Sequence, residues 1–163
     1  MSSVILANDF KIENVSFKEP KKNSNGGLSI LLNYFNEKTN KNGPLLVQTP
    51  KMRMPFGVDA AESENGGPIR YSFNISLAKD DSDNTNLITF SKIISKLDEY
   101  TKSMGEKESE IWFGKKKSAE VIEELYKSAE KKSKNDKYPS TLKIKLPIKI
   151  TGDKITPQFE IFN

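Results

Sequence analysis

The clearest pattern in the chain is an alternation. Ile69, Tyr71, Phe73, Ile75 and Leu77 take every second position, with Arg70, Ser72, Asn74 and Ser76 between them. A period of two predicts a half-buried strand at 69–77. Leu142, Ile144, Leu146, Ile148 and Ile150 alternate in the same way with Lys143, Lys145, Pro147 and Lys149, which predicts a strand at 141–150. Leu28, Ile30, Leu32 and Tyr34 share one phase, with Ser29 and Asn33 opposite, so a strand is expected at about 27–35. The polar stretch Glu37–Gly43, ending in Asn42-Gly43, reads as a hairpin-like connection into a further strand at 44–49. A short strand is expected at 158–162, after the turn Thr151-Gly152-Asp153-Lys154, and an extra N-terminal strand at 12–17.

Between 77 and 141 the period changes. Leu87, Phe90, Ile93, Ile94, Leu97 and Tyr100 follow helical spacing and predict an amphipathic helix over 86–103. The run Asp80-Asp81-Ser82-Asp83 precedes it, and negative charge suits the positive end of a helix dipole. Those carboxylates are also conceivable Mg²⁺ ligands, but the helix approach accounts for them, and no metal site is assigned. Ser118 can cap a second helix at 119–133, with Ile122, Leu125, Tyr126 and Ala129 as its apolar stripe. Gly105 and Gly114 bracket the connection, and Asn135–Pro139 ends the helical block.

The expected order is therefore three strands, a helical insertion at 86–133, and two strands, behind an N-terminal extension at 1–26. The fold class is mainly β with a helical insertion, an α+β chain. Five strands with helix after the third is the order of the five-stranded Greek-key barrel called the OB-fold, although short sandwiches share it. The 163 residues suit a single domain, 1–163, with a real core.

Composition narrows the chemistry. The chain has no His and no Cys, which excludes a Cys/His zinc site, a Ser-His-Asp triad and a thiolate nucleophile. Paired glycines at 26–27 and 66–67 lack the spacing of a phosphate-cradling loop. No enzymatic activity and no cofactor are expected. No apolar run approaches the ~18–20 residues of a membrane span, and the first residues do not read as a signal peptide. Without cysteine, a reducing intracellular compartment is expected. The net charge of +4 is uneven. Residues 1–58 carry net +4, residues 59–110 net −5 and residues 111–163 net +5. Two basic ends can build one basic face if they meet in space.

The segment Pro50-Lys51-Met52-Arg53-Met54-Pro55-Phe56-Gly57 sharpens that idea. Extended between prolines, Lys51 and Arg53 would point to solvent and both methionines to the core. Such cations can track a phosphate backbone, each releasing counterions. They equally suit an edge that resists further pairing. Lys143, Lys145 and Lys149 form a second cationic row, and like charges on one strand face call for an anion or acidic neighbours opposite. Among the aromatics, Tyr71, Phe73, Phe90, Tyr100 and Tyr126 follow core phases. Phe35 is out of phase, Phe56 sits in a Pro-Phe-Gly turn and Tyr138 precedes a strand, so these three are candidates for stacking on bases. Trp112-Phe113, before Gly114-Lys115-Lys116-Lys117, is expected to plug the helical block into a core rather than to stack.

Three blocks, "LLVQTPKMRMPFG" (45–57), "EIWFGKKKSAEVIEELYK" (110–127) and "YPSTLKIKLP" (138–147), together resemble a family. It is the single-stranded DNA-binding proteins of nucleo-cytoplasmic large DNA viruses, distantly related to the replisome single-strand binder of short-tailed coliphages. The blocks cover about a quarter of the chain. The resemblance implies an OB-fold, no catalysis, and the coating of single strands in viral DNA replication, recombination or repair, in the host cytoplasm (a viral replication factory) or nucleus. It makes Lys51, Arg53, Lys115, Lys116, Lys117, Lys143 and Lys145 the candidate DNA contacts. Replication proteins and a second copy of the chain stay open as further partners. A different class also stays open: a non-enzymatic virion or nucleoprotein component that uses the same fold to hold protein.

Overall fold

In the computed structural model, the described residues are 4–23, 26–62, 69–78, 85–133, 137–152 and 154–157. The first strands are β1 (Ile5–Leu6), β2 (Val15–Phe17), β3 (Lys21–Lys22), β4 (Leu28–Ser29), β5 (Leu32–Asn36), β6 (Lys41–Pro44) and β7 (Val47–Gln48). They are followed by β8 (Asp59–Ala61) and β9 (Arg70–Ser76), then by helices α1 (Thr85–Lys107), α2 (Ser109–Phe113) and α3 (Ala119–Leu125). The chain continues through β10 (Glu130–Lys131), β11 (Thr141–Lys145), β12 (Ile148–Thr151) and β13 (Lys154–Pro157). The α+β class of the sequence reading stands. The sheets have two to four strands and are open, and the described residues form no closed barrel.

The chain divides into two compact units, each built from two stretches. Unit 1 comprises Met1–Pro50 and Asn84–Ser128; unit 2 comprises Lys51–Asp83 and Ala129–Asn163.

Unit 1 holds the antiparallel sheet β2-β5-β6, the parallel pair β1-β7 and all three helices. Its core cluster is Ile5, Val15 and Tyr34, with Phe10, Ile12, Leu32, Leu45, Leu97 and Tyr100 packed against it. Tyr34 is buried as a ring but keeps its hydroxyl satisfied, because Lys11 N donates to it at 3.0 Å. The predicted hairpin after β5 is present but shorter. Asn40 adopts the left-handed conformation (φ 52°), and Asn36 Oδ1 accepts from the amides of Lys38 and Thr39, which closes the turn by residue 40. Asn42-Gly43, read as turn residues, instead sit in the ladder opposite Phe35 and Tyr34. The expected strand at 12–17 is extended only from Val15; Ile12–Asn14 is a 3₁₀ turn.

The first helix runs past its predicted end, and Gly105 lies inside it. A Cβ on Gly105 would meet Ile122 Cγ2 at 3.5 Å and Trp112 Cζ3 at 3.6 Å, so this glycine sits where α2 and α3 approach α1. Gly114 ends α2 with φ 72°, its amide donating to Glu110 O at 2.9 Å, a left-handed cap. Ser118 does occupy the N-cap of α3, but its hydroxyl oxygen accepts no capping bond from a backbone amide; the hydroxyl instead donates to the Glu120 carboxylate and holds that carboxyl below its usual range. The helix expected to reach 133 stops at Leu125. Tyr126 is extended and donates its hydroxyl to Asp98 Oδ1 at 2.7 Å, and Glu130 and Lys131 pair with β11. Hydrogen bonds to distant partners outweigh the local helical spacing there.

Unit 2 is built on the antiparallel sheet β10-β11-β9-β8. Ile75, Leu77 and Leu142 are buried, and Tyr71, Phe73, Ile144 and Leu146 are half-buried on the same phase. The single strand expected at 141–150 is two. Leu146 N donates to Tyr71 O at 2.8 Å as the last bond to β9; Pro147 has no amide to continue the ladder, and β12 turns away to pair with β13. Thr151 and Lys154, the ends of the turn expected at 151–154, oppose each other in that pair, and Asp153 lies outside the described residues. The expected strand at 158–162 and the Asp80–Asp83 run lie outside the described residues.

Candidate nucleic-acid interface

The register of unit 2 decides which polar side chains share a face. Directly opposed residues of an antiparallel sheet point the same way. Thr141, Lys143 and Lys145 of β11 oppose Ser76, Asn74 and Ser72 of β9. Lys131 of β10 opposes Thr141, and Asp59 and Ala61 of β8 oppose Ser72 and Arg70. One face therefore carries Arg70, Lys131, Lys143 and Lys145, interleaved with Ser72, Asn74, Ser76 and Thr141, with Asp59 as the acidic side chain in the same rows. The other face carries the apolar phase.

The two layers of this polar face differ in exposure. Arg70, Lys131, Lys143 and Lys145 are exposed, whereas Ser72 and Ser76 are 5% and 6% accessible. Ser76 Oγ accepts from Ala78 N at 3.2 Å. The exposed lysines offer point charges and Arg70 a planar guanidinium to phosphate oxygens, whereas the Ser72 and Ser76 hydroxyls lie buried between them.

The structure distributes the sequence candidates as follows. Lys143 and Lys145 lie on the polar face. Lys149, read as part of the same row, is on β12 beyond Pro147 and opposes Thr156 in a separate hairpin, so it does not continue the ladder. Lys51 and Arg53 are exposed but lie outside regular strand; Arg53 O accepts from Ser76 N at 2.8 Å, which sets this segment along the β8 side of β9. The expected in-out alternation there holds at Met52, which is half-buried, and fails at Met54, which is 50% exposed. Without a continuous ladder, nothing enforces a period of two on the segment. Phe56 and Tyr138 belong to the same unit and are 66% and 65% exposed. Lys137 Nζ stands 5.7 Å from the Tyr138 ring centroid, a cation–π contact.

The remaining candidates belong to unit 1. Phe35 is exposed on β5. Lys115 and Lys116 are exposed between α2 and α3. Lys117 is half-buried: its amide donates to the buried Ser109 Oγ at 3.2 Å and its Nζ lies 5.4 Å from the Phe113 ring. Trp112 is half-buried against Phe17 at 5.1 Å and edge-on to Phe113 at 6.5 Å.

Sequence reasoning missed Arg70 and Lys131 as site residues. Arg70 was visible in the alternation of 69–77 but stands alone on that strand. Lys131 was assigned to a helix, and only its pairing with Thr141 brings it to the sheet. Among the described residues no cluster of three or more carboxylates is arranged to hold a metal ion, and no helix is long and apolar enough to cross a membrane. Comparison with protein-family models finds no match, and neither do comparisons with curated proteins and with solved structures.

Proposed function

We propose that this protein binds single-stranded DNA with little sequence preference, through the polar face of the unit 2 sheet. The observation that carries the reading is the gathering of Arg70, Lys131, Lys143 and Lys145 on one face of one sheet. Like charges in adjacent rows repel and are relieved by a polyanion laid across them. Phe56 and Tyr138, exposed in the same unit, supply π-faces on which bases of any kind can stack. The OB-type architecture and a setting in viral DNA replication, recombination or repair belong to the same proposal. They are supported by the order of strands, helices and strands and by the three sequence blocks. The test is fluorescence anisotropy with a labelled oligonucleotide at several salt concentrations, single strand against duplex. Tighter single-strand binding that weakens with salt is expected; equal or tighter duplex binding near physiological salt would overturn the proposal.

One observation favours a second reading, a virion or nucleoprotein component that holds protein. Ile111, Phe113 and Leu125 on α2 and α3 are exposed apolar side chains. A chain that fails to bind any oligonucleotide but loses self-association or partner capture on Ile111→Ser with Leu125→Ser would support it.

A further inference from the structure

Residues 17–23 and 26–32 form a two-stranded ribbon that outruns its sheet. β2 and β5 pair through Phe17 and Leu32, Lys18 N donates to Leu31 O at 2.8 Å, and β3 and β4 pair as Lys21 with Ser29 and Lys22 with Leu28. From Phe17–Leu32 to Lys21–Ser29 the first strand advances four residues and its partner three, so one extra residue bulges near Glu19-Pro20. The third strand stops earlier: β6 reaches Asn33, and Leu45 N donates to Leu32 O at 3.0 Å. The base is anchored, because the Phe17 ring lies 5.1 Å from Trp112 and 5.5 Å from Tyr100. Farther out, Asn23 N and Gly27 O close the ribbon at 2.8 Å.

This ribbon presents charge on both faces. Lys21 and Lys22 are neighbours on an extended strand, so they point to opposite sides. Lys18 lies nearer the base, where its amide donates to Leu31 O. All three are exposed, and none makes an ion pair with a described residue. Leu28, opposite Lys22, and Leu31 are exposed as well. A flat anionic surface such as a membrane could engage only one side. A trench with phosphates on both walls engages both, and the major groove of B-form DNA, ~12 Å wide, admits a two-stranded ribbon. The deep, narrow major groove of A-form RNA does not.

We propose that the ribbon strands carrying Lys18, Lys21 and Lys22 are a second nucleic-acid site, which engages the major groove of duplex DNA. It does not rest on the sheet-face reading. The test compares the full chain with a Lys18→Ala, Lys21→Ala, Lys22→Ala variant on duplex DNA, duplex RNA, single-stranded DNA and anionic vesicles. Loss of three phosphate contacts should flatten the duplex-DNA salt slope by about 2.7 and weaken duplex binding about tenfold or more at moderate salt. Single-strand affinity should hold within about twofold, since the sheet face is untouched. Fluorescence of Trp112, which contacts the ribbon base, verifies that the variant is folded. Lys143→Ala with Lys145→Ala should retain duplex binding, which separates this site from the sheet face. Duplex affinity unchanged by the triple substitution, equal losses on single strand and duplex, equal losses on RNA and DNA duplexes, or lysine-dependent binding confined to vesicles would each overturn the proposal.

Discussion

Two groups of lysines are treated in opposite ways. Three lysines of unit 1, unlike Lys18, Lys21 and Lys22 of its ribbon, meet carboxylates: Lys11 Nζ is 2.6 Å from Glu37, Lys38 Nζ 2.6 Å from Asp9, and Lys102 Nζ 2.8 Å from Glu123. The last of these ties α1 to α3. In unit 2, Lys131, Lys143, Lys145 and Arg70 are instead gathered on one sheet face, with Asp59 as the acid in the same rows. Exposed ion pairs contribute little to stability, so these three pairs serve local geometry more than stability. The gathering in unit 2 costs some repulsion, and it is the ground on which a binding surface is proposed there. The lesson is that net charge says little here; the register that sorts charges onto faces says more.

The largest effect should fall on unit 1. Trp112→Ala removes a half-buried ring that touches Phe17 and Phe113, and should destabilise the protein by about 2 kcal/mol, less than for a fully buried aromatic. DNA affinity per folded molecule should stay unchanged. A variant that melts normally but binds single strands poorly would move Trp112 into the binding surface and erase the contrast between the units.

Next comes unit 2. Lys143→Ala with Lys145→Ala should weaken single-strand binding about tenfold and flatten the log-log salt slope by about 1.4. The melting temperature should change little, because exposed substitutions usually cost less than ~0.5 kcal/mol. An unchanged salt slope would mean that these cations only border an exposed sheet.

A smaller gain is expected at Gly105. The space for a Cβ is ordinary van der Waals contact, and the residue lies within α1. Gly105→Ala should therefore stabilise unit 1 by about 0.5–1 kcal/mol through helix propensity. A loss of stability by chemical denaturation would show that the α1 approach to Ile122 and Trp112 is tighter than its distances imply.

The smallest effect concerns pH. The hydrogen bond from Lys11, helped by one from Asn14, holds the Glu37 carboxyl below its usual range. A group whose pKa is lowered on folding contributes stability above its unfolded value, near pH 4.3, and loses it as pH falls through the lower folded value. The wild type should lose slightly more thermal stability than Glu37→Gln as pH drops below about 4. Trp112 fluorescence follows unit 1 in that measurement. Parallel acid limbs in the two proteins would remove Glu37 from the account.

The comparison also shows where local pattern is a reliable guide. The strand at 69–77, the first half of the strand expected at 141–150, the start of the helix expected at 86–103 and the exposure of Phe35, Phe56 and Tyr138 were legible, because each depends on a residue's own phase or on a short run of neighbours. Pro147 was legible too, but its effect was underrated: a proline within an alternating run ends the ladder even when the apolar phase continues past it. The helix end near 125 was not legible. The spacing of Ile122, Tyr126 and Ala129 suits a helix, and only Asp98 and β11, distant in sequence, draw Tyr126 and Glu130 into other bonds.

By itself, then, the sequence determined the mixed α+β class, the apolar phases that become the two cores, and the absence of histidine and cysteine chemistry. These follow from side-chain type and short-range period. Tertiary structure alone decided which cations share a face. Lys131, Arg70 and Lys143 are separated by up to seventy-three positions, and only strand pairing aligns them on one side of a sheet. It also decided that Lys149 falls off that row and that Lys117 turns back onto Phe113. The physical reason is one and the same: periodicity fixes a side chain's phase within its own element, whereas register is a property of two elements brought together, and a binding face is made of register.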